Sequence, residues 1–79
     1  MEWLDQLATS FGVDPLGADE RSDLLDAARD VAHRVERKIT PLAAFLIGMR
    51  VEARVAAGAA RGDALAQTLT ELRGALPPA

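Results

Sequence analysis

In this 79-residue chain, the side chains best suited to bind a ligand or catalyse a reaction lie on one flank of a predicted helix. Their spacing of i, i+4, i+7 and i+8 places four residues on the same side of a helix: Arg29, His33, Glu36 and Arg37. Arginine and histidine beside acids could bind an anion, or position His33 as a general acid or base. The same pattern is also typical of a solvated helix face with side-chain pairs one turn apart. The flank is therefore a candidate ligand or partner surface.

Other kinds of catalytic group are poorly represented. The chain has no cysteine and one histidine, and its carboxylates are dispersed, so we expect no metal site. Ser10 and Ser22 lack the sequence context of an activated nucleophile. No glycine-rich phosphate loop follows a strand. A helical enzyme of the chorismate-mutase kind is the best enzymatic alternative, but its long first helix and cationic ligands are not evident. We therefore expect a non-enzymatic protein with no cofactor.

Charge and hydropathy exclude several classes of partner. The formal net charge is −3, with both signs interspersed, so no basic field is available for a nucleic-acid backbone. No apolar run approaches the ~20 residues needed to span a bilayer. The N-terminal segment is acidic and amphipathic and lacks the basic start of a signal peptide. We expect a cytoplasmic protein that binds neither nucleic acid nor membrane.

The elements that position these residues are all predicted to be helices. The apolar fraction is 49%, mostly Ala, Leu and Val, which is enough for one folded domain and favours helix. Gly12, the Thr40–Pro41 step and the Gly58–Gly62 segment mark the breaks, with Thr40 expected to cap the helix that Pro41 begins. The prediction is a single all-α domain over residues 1–79, a small four-helix bundle with helices at about 2–11, 20–38, 41–57 and 63–74.

The third predicted helix is apolar on two sides. One apolar face comprises Leu42, Phe45, Leu46, Met49, Ala53 and Ala56. The nearly opposite side comprises Ala44, Ile47, Gly48, Val51 and Val55. Either this helix is central and the other three cover it, or one face binds a partner. Because three short helices cannot easily cover a fourth, we predict that the second face is an association surface for a homodimer or another protein.

The chain also resembles a bacterial family of short helical domains of unknown function. The similarity covers most of the chain in the same order, and its most specific part is an Arg-Asp-x-Ala-His run followed by Pro-Leu-x-x-Phe-Leu-x-Gly. Ile39 and Thr40 depart from it, since the family usually has a small residue before Pro41. The matching residues are Trp3, Leu4, Gly12, Val13, Leu24, Leu25, Ala28, Arg29, Asp30, Ala32, His33, Arg37, Pro41, Leu42, Phe45, Leu46 and Gly48.

The resemblance implies a role that the residues alone do not. Members of that family stand alone or form the C-terminal tail of molybdenum-cofactor guanylyltransferases. It therefore implies an accessory part in molybdenum-cofactor maturation or delivery, with a guanylyltransferase or a molybdoenzyme as partner. The nucleotidyltransferase domain has no counterpart in this sequence, so that activity is not implied. The alternative is a small ligand-binding or enzymatic helical protein that uses the flank of Arg29, His33 and Glu36.

Overall fold

The computed structural model describes residues 2–78, and it confirms the predicted all-α class and four-helix bundle. The helices are α1 (Trp3–Phe11), α2 (Ala18–Arg34), α3 (Thr40–Ala56) and α4 (Arg61–Ala75), with a 3-10 turn at Arg37–Ile39 between α2 and α3. No helix within the described range is long and apolar enough to cross a membrane.

The core lies where α3 and α4 pack together and α2 crosses them. α3 and α4 make the most extensive helix pair, and α2 contacts both. Leu65 and Leu69 of α4 are buried against Ile47 of α3 and Ala27 of α2. These two leucines of α4 therefore face inward. The core is small, since the buried hydrophobic residues in the described range are Ala27, Val31, Ile47, Ala64, Leu65 and Leu69.

The end of α2 differs from the prediction. The sequence predicts a helix to about residue 38, but α2 ends at Arg34, where the N–H groups of Val35 and Glu36 both donate to the Val31 carbonyl (2.9 and 3.2 Å). Glu36 is extended (φ −168°, ψ 140°), and the 3-10 turn then leads into α3. Thr40 is not a cap. It is the first residue of α3, with Ile39 at the cap position, and its buried Oγ1 has no hydrogen-bond partner in the structure.

Helix α1 lies at the periphery. Gly12 ends it in the left-handed conformation (φ 70°), and its N–H donates to the Thr9 carbonyl at 3.1 Å. Among the described residues, the backbone of α1 makes no close approach to the other helices. Arg21 of α2 tethers it instead through ion pairs with Asp5 (2.7 Å) and Glu2 (3.4 Å).

Candidate interaction surface

The polar flank predicted on α2 is split by the end of that helix. Arg29 and His33 lie on α2, whereas Glu36 and Arg37 follow it, and all four side chains are exposed. Arg29 pairs with Asp26 (3.5 Å), and Glu36 pairs with Lys38 (3.6 Å). None of the four lines the groove between α2 and α3 described below, or the smaller cavity between α3 and α4 beside Leu46 and Leu72. The structure therefore leaves all four side chains exposed and does not assemble them into one site.

The predicted association face of α3 points inward, and we call it the inner face. Ile47 is buried in the core and Val51 packs against the same cluster. Val55 is partly buried, while Ala44 and Gly48 are exposed. All five residues line a groove of about 730 Å³ between α2 and α3, walled on the other side by Leu24, Leu25 and Ala28. The inner face is thus partly core and partly groove wall.

The opposite face of α3 is the one left in solvent. We call it the outer stripe; it comprises Leu42, Phe45, Leu46, Met49, Ala53 and Ala56. Leu42 and Leu46 are 61% and 64% exposed, and Phe45 is 70% exposed. The sequence pattern identified this face as apolar but did not indicate that it would be uncovered. Large apolar side chains concentrated on one exposed helix face are typical of a protein–protein contact.

A second apolar surface lies on α1. Trp3 and Phe11 are each 71% exposed, and Leu4 is also exposed. Leu7 on the same helical face is only partly buried. All three aromatic residues of the chain are therefore mainly in solvent. Aromatic side chains dominate the energetics of cores and interfaces, so their position in this chain favours contact with another surface.

Arg61, which the sequence analysis did not identify, links residues that line the groove. Arg61 at the start of α4 donates from Nε and Nη2 to both carboxylate oxygens of Glu20 (2.8 and 2.7 Å). It also donates to the backbone carbonyls of Asp14 and Pro15, each at 2.7 Å. These hydrogen bonds hold the pKa of the Glu20 carboxyl below its ordinary value, although partial burial acts in the opposite direction. Arg61 thereby ties the loop before α2 to α4.

A second arginine joins α3 to α4. Arg54 donates to both carboxylate oxygens of Glu71 (2.9 and 2.7 Å) and to the buried Thr68 hydroxyl (2.8 Å). Its hydrogen bonds lower the pKa of the Glu71 carboxyl. Both charged clusters are occupied by partners within the chain, and no group of three His, Asp or Glu side chains in residues 2–78 could hold a metal ion. Their evident role is to fix the helices that present the apolar surfaces.

The total exposed surface is large for the size of the chain. The chain exposes 5591 Å², whereas a compact monomer of its mass is expected to expose about 4,600 Å². The excess of about 1,000 Å² resembles the ~800 Å² that each partner buries in a typical stable interface. The radius of gyration, 12.9 Å, likewise exceeds the roughly 11.6 Å expected for a compact domain of this length.

The comparisons with known proteins yield a family and no further relatives. A family model described as "Domain of unknown function (DUF6457)" matches residues 1–77. A search of curated proteins and a search of solved structures each found no match. The chain belongs to the DUF6457 family.

Proposed function

We propose that this member of the DUF6457 family is a non-catalytic interaction module that binds a protein surface through the exposed apolar side chains of α1 and α3. The observation that carries the proposal is the surface excess of about 1,000 Å² over a compact monomer. Phe45 and Trp3, at 70% and 71% exposed, are the strongest candidates for anchor residues, because buried aromatic side chains dominate most interface energetics.

The biological setting that we propose is molybdenum-cofactor maturation or delivery in the cytoplasm. It is supported by the resemblance of the Arg29–His33 and Pro41–Gly48 segments to tails of molybdenum-cofactor guanylyltransferases. A free-standing module would hold such an enzyme near a molybdoenzyme client, or near a second copy of itself. Affinity would come from buried apolar contacts. The polar flank of Arg29, His33 and Arg37 would guide encounter and orientation.

The alternative, a ligand-binding or enzymatic protein that uses the α2 flank, has less support. Arg29, His33 and Glu36 project from an open surface, and none of them lines the groove between α2 and α3. A site that binds a small molecule is usually concave, with a few convergent polar groups. The groove itself is lined mainly by apolar side chains.

The test is capture of the partner with the wild-type chain and a surface variant. Tagged wild type is expected to co-purify with a molybdenum-cofactor guanylyltransferase or a molybdoenzyme from the native host, and Trp3→Glu on α1, at a side chain that is 71% exposed, is expected to lose that partner. Gln67→Glu, an exposed α4 position away from both apolar surfaces, is the matched control. Deleting the gene is expected to lower the fraction of molybdoenzyme that carries cofactor. Normal loading in the deletion strain, together with no such partner in the pull-down, would overturn the proposed role.

A further inference from the structure

The outer stripe of α3 has a gradient of side-chain size. Its N-terminal half carries Leu42, Phe45 and Met49, all more than half exposed. Its C-terminal half carries only Ala53 and Ala56, which are also exposed. The stripe contains no charged residue over its length of about 21 Å, given 1.5 Å per residue. A helix surface that is bulky at one end and shallow at the other fits its own copy in one direction.

We infer that the outer stripe pairs with the outer stripe of a second copy of this chain, antiparallel, about a two-fold axis near Met49. This pairing rests on the proposed function, because it assumes that the exposed apolar surface is an interface. Around that axis Phe45 faces Ala53 of the other copy and Leu42 faces its Ala56. Phe45 and Leu42 then each meet an alanine, one pair at either end of the contact, as close packing requires.

A parallel pairing of the same faces lacks this fit. It would set Phe45 against Phe45 and Leu42 against Leu42, while the two Ala53–Ala56 ends would face each other across a gap. Crowding at one end and a void at the other both cost free energy. Both arrangements have the two-fold symmetry typical of homodimers, so the match of side-chain sizes is what favours the antiparallel one.

The surroundings of the stripe favour a second copy as its occupant. Arg50, on one flank of the stripe, already pairs with Glu71 of its own chain (3.6 Å), and the exposed Glu52, on the other flank, lines the groove between α2 and α3. The whole chain exposes about 1,000 Å² more than a compact monomer, and the outer stripe is one of the exposed apolar surfaces that contribute to it. A second copy that covered such an excess would form an interface of ordinary size, since each partner of a stable dimer buries ~800 Å².

Cysteine cross-linking tests the direction of pairing, because the chain has no cysteine of its own. Under mild oxidation, Met49→Cys is expected to form a disulfide-linked dimer. A mixture of Leu42→Cys and Ala56→Cys chains is expected to form the mixed dimer. Leu42→Cys alone is the control and should not self-link, because the two positions lie about 21 Å apart along antiparallel helices. Self-linking of Leu42→Cys in place of the mixed product would overturn the antiparallel inference.

Two phenylalanines of equal exposure test the location of the pairing. By light scattering over a concentration series, Phe45→Glu on the stripe is expected to raise the dimer dissociation constant at least tenfold. Phe11→Glu on α1 is expected to leave it within about twofold. Their exposures, 70% and 71%, make them matched, and circular dichroism checks that both variants stay helical. The reverse order of effects would place the dimer on α1 and overturn the inference.

Exchanging the large and the small side chain of the proposed Phe45–Ala53 contact tests that contact directly. Phe45→Ala is expected to weaken the dimer, and Phe45→Ala combined with Ala53→Phe is expected to restore it, because the bulky and small partners have only traded places. Failure of this rescue would overturn the proposed Phe45–Ala53 contact. A wild type that stays monomeric at all concentrations but still captures a heterologous partner would overturn the self-pairing and leave the proposed function standing.

Discussion

The two faces of α3 are both apolar, but the inner face packs partly into the core and the outer stripe is exposed to solvent. Ile47 on the inner face is 8% exposed, whereas Phe45, two residues earlier on the outer stripe, is 70% exposed. The difference comes from the neighbouring helices. α4 and α2 present Leu65, Leu69 and Ala27 to one side of α3, and no described helix covers the other side. Hydrophobicity alone therefore does not identify the buried face of a helix in so small a domain.

The largest effect on stability is expected from truncating a buried side chain of the inner face. Ile47→Ala should lower the free energy of unfolding by about 2–5 kcal/mol, because it removes buried methyl groups and leaves a cavity. Leu42→Ala on the outer stripe should change the stability of the monomer by no more than about 0.5 kcal/mol. Urea denaturation of both variants at low and high protein concentration measures the contrast. The loss in Ile47→Ala should persist at low concentration, whereas any loss in Leu42→Ala should shrink there.

An intermediate loss of stability is expected from replacing Arg61, which links the loop before α2 to α4 beside the groove. Arg61→Ala removes the hydrogen bonds to Glu20 and to two loop carbonyls. We expect it to cost about 1.5–3 kcal/mol, the range for hydrogen bonds to charged groups. Chemical denaturation measures the loss, and Arg29→Ala is a suitable control because its ion pair is long and exposed. Equal stability of the two variants would show that this link contributes nothing.

The hydrogen bonds between Arg61 and Glu20 also predict that the stability of the domain depends on pH. The folded pKa of Glu20 is lowered, first by hydrogen bonding to Arg61. The resulting stabilisation is fully present above the unfolded pKa, about 4.3, and is lost as the pH falls through the lower folded pKa. Melting temperatures between about pH 3 and pH 6 should therefore fall less steeply with acid in Glu20→Gln than in wild type. Parallel curves would contradict this assignment.

The smallest effect is expected on the polar flank of α2. Arg29→Ala and His33→Ala should each leave stability within about 0.5 kcal/mol of wild type, because both side chains are exposed. Partner binding should nevertheless weaken, chiefly through a slower association rate that varies with salt. Differential scanning calorimetry and surface plasmon resonance separate the two effects. A large fall in melting temperature would indicate a structural role in place of a binding one.

The helices were predictable because their signals are local. Gly12, the Thr40–Pro41 step and the Gly58–Gly62 segment each act within a few residues, and the structure places helix boundaries close to them. The early end of α2 was missed because the sequence continues in helix-compatible residues, while the break depends on how the chain must turn into α3. The link made by Arg61 was missed for a similar reason. Its partner Glu20 lies 41 positions away, and only the folded chain brings them together.

The sequence also placed the apolar residues of α3 on two sides, but it gave no basis for deciding which side the other helices would cover. That choice depends on the relative positions of α2 and α4. The groove behind Val51 depends on the same arrangement, since α2 and α3 line its two walls. The four residues of the predicted polar flank are exposed, but the early end of α2 leaves Glu36 and Arg37 outside that helix, and their function remains a prediction.

The ion pairs between Arg21 and α1 affect how this helix unfolds locally. Arg21 holds this helix through Asp5 and Glu2, and all three side chains are at least one-third exposed. Salt screens such pairs but hardly affects a buried apolar core. The amide hydrogens of α1 should therefore exchange with solvent through a local opening that becomes more frequent as ionic strength rises, while those of α3 and α4 exchange only when the whole domain unfolds. The chain would then consist of two cooperative units, and only the smaller would respond to its ionic surroundings.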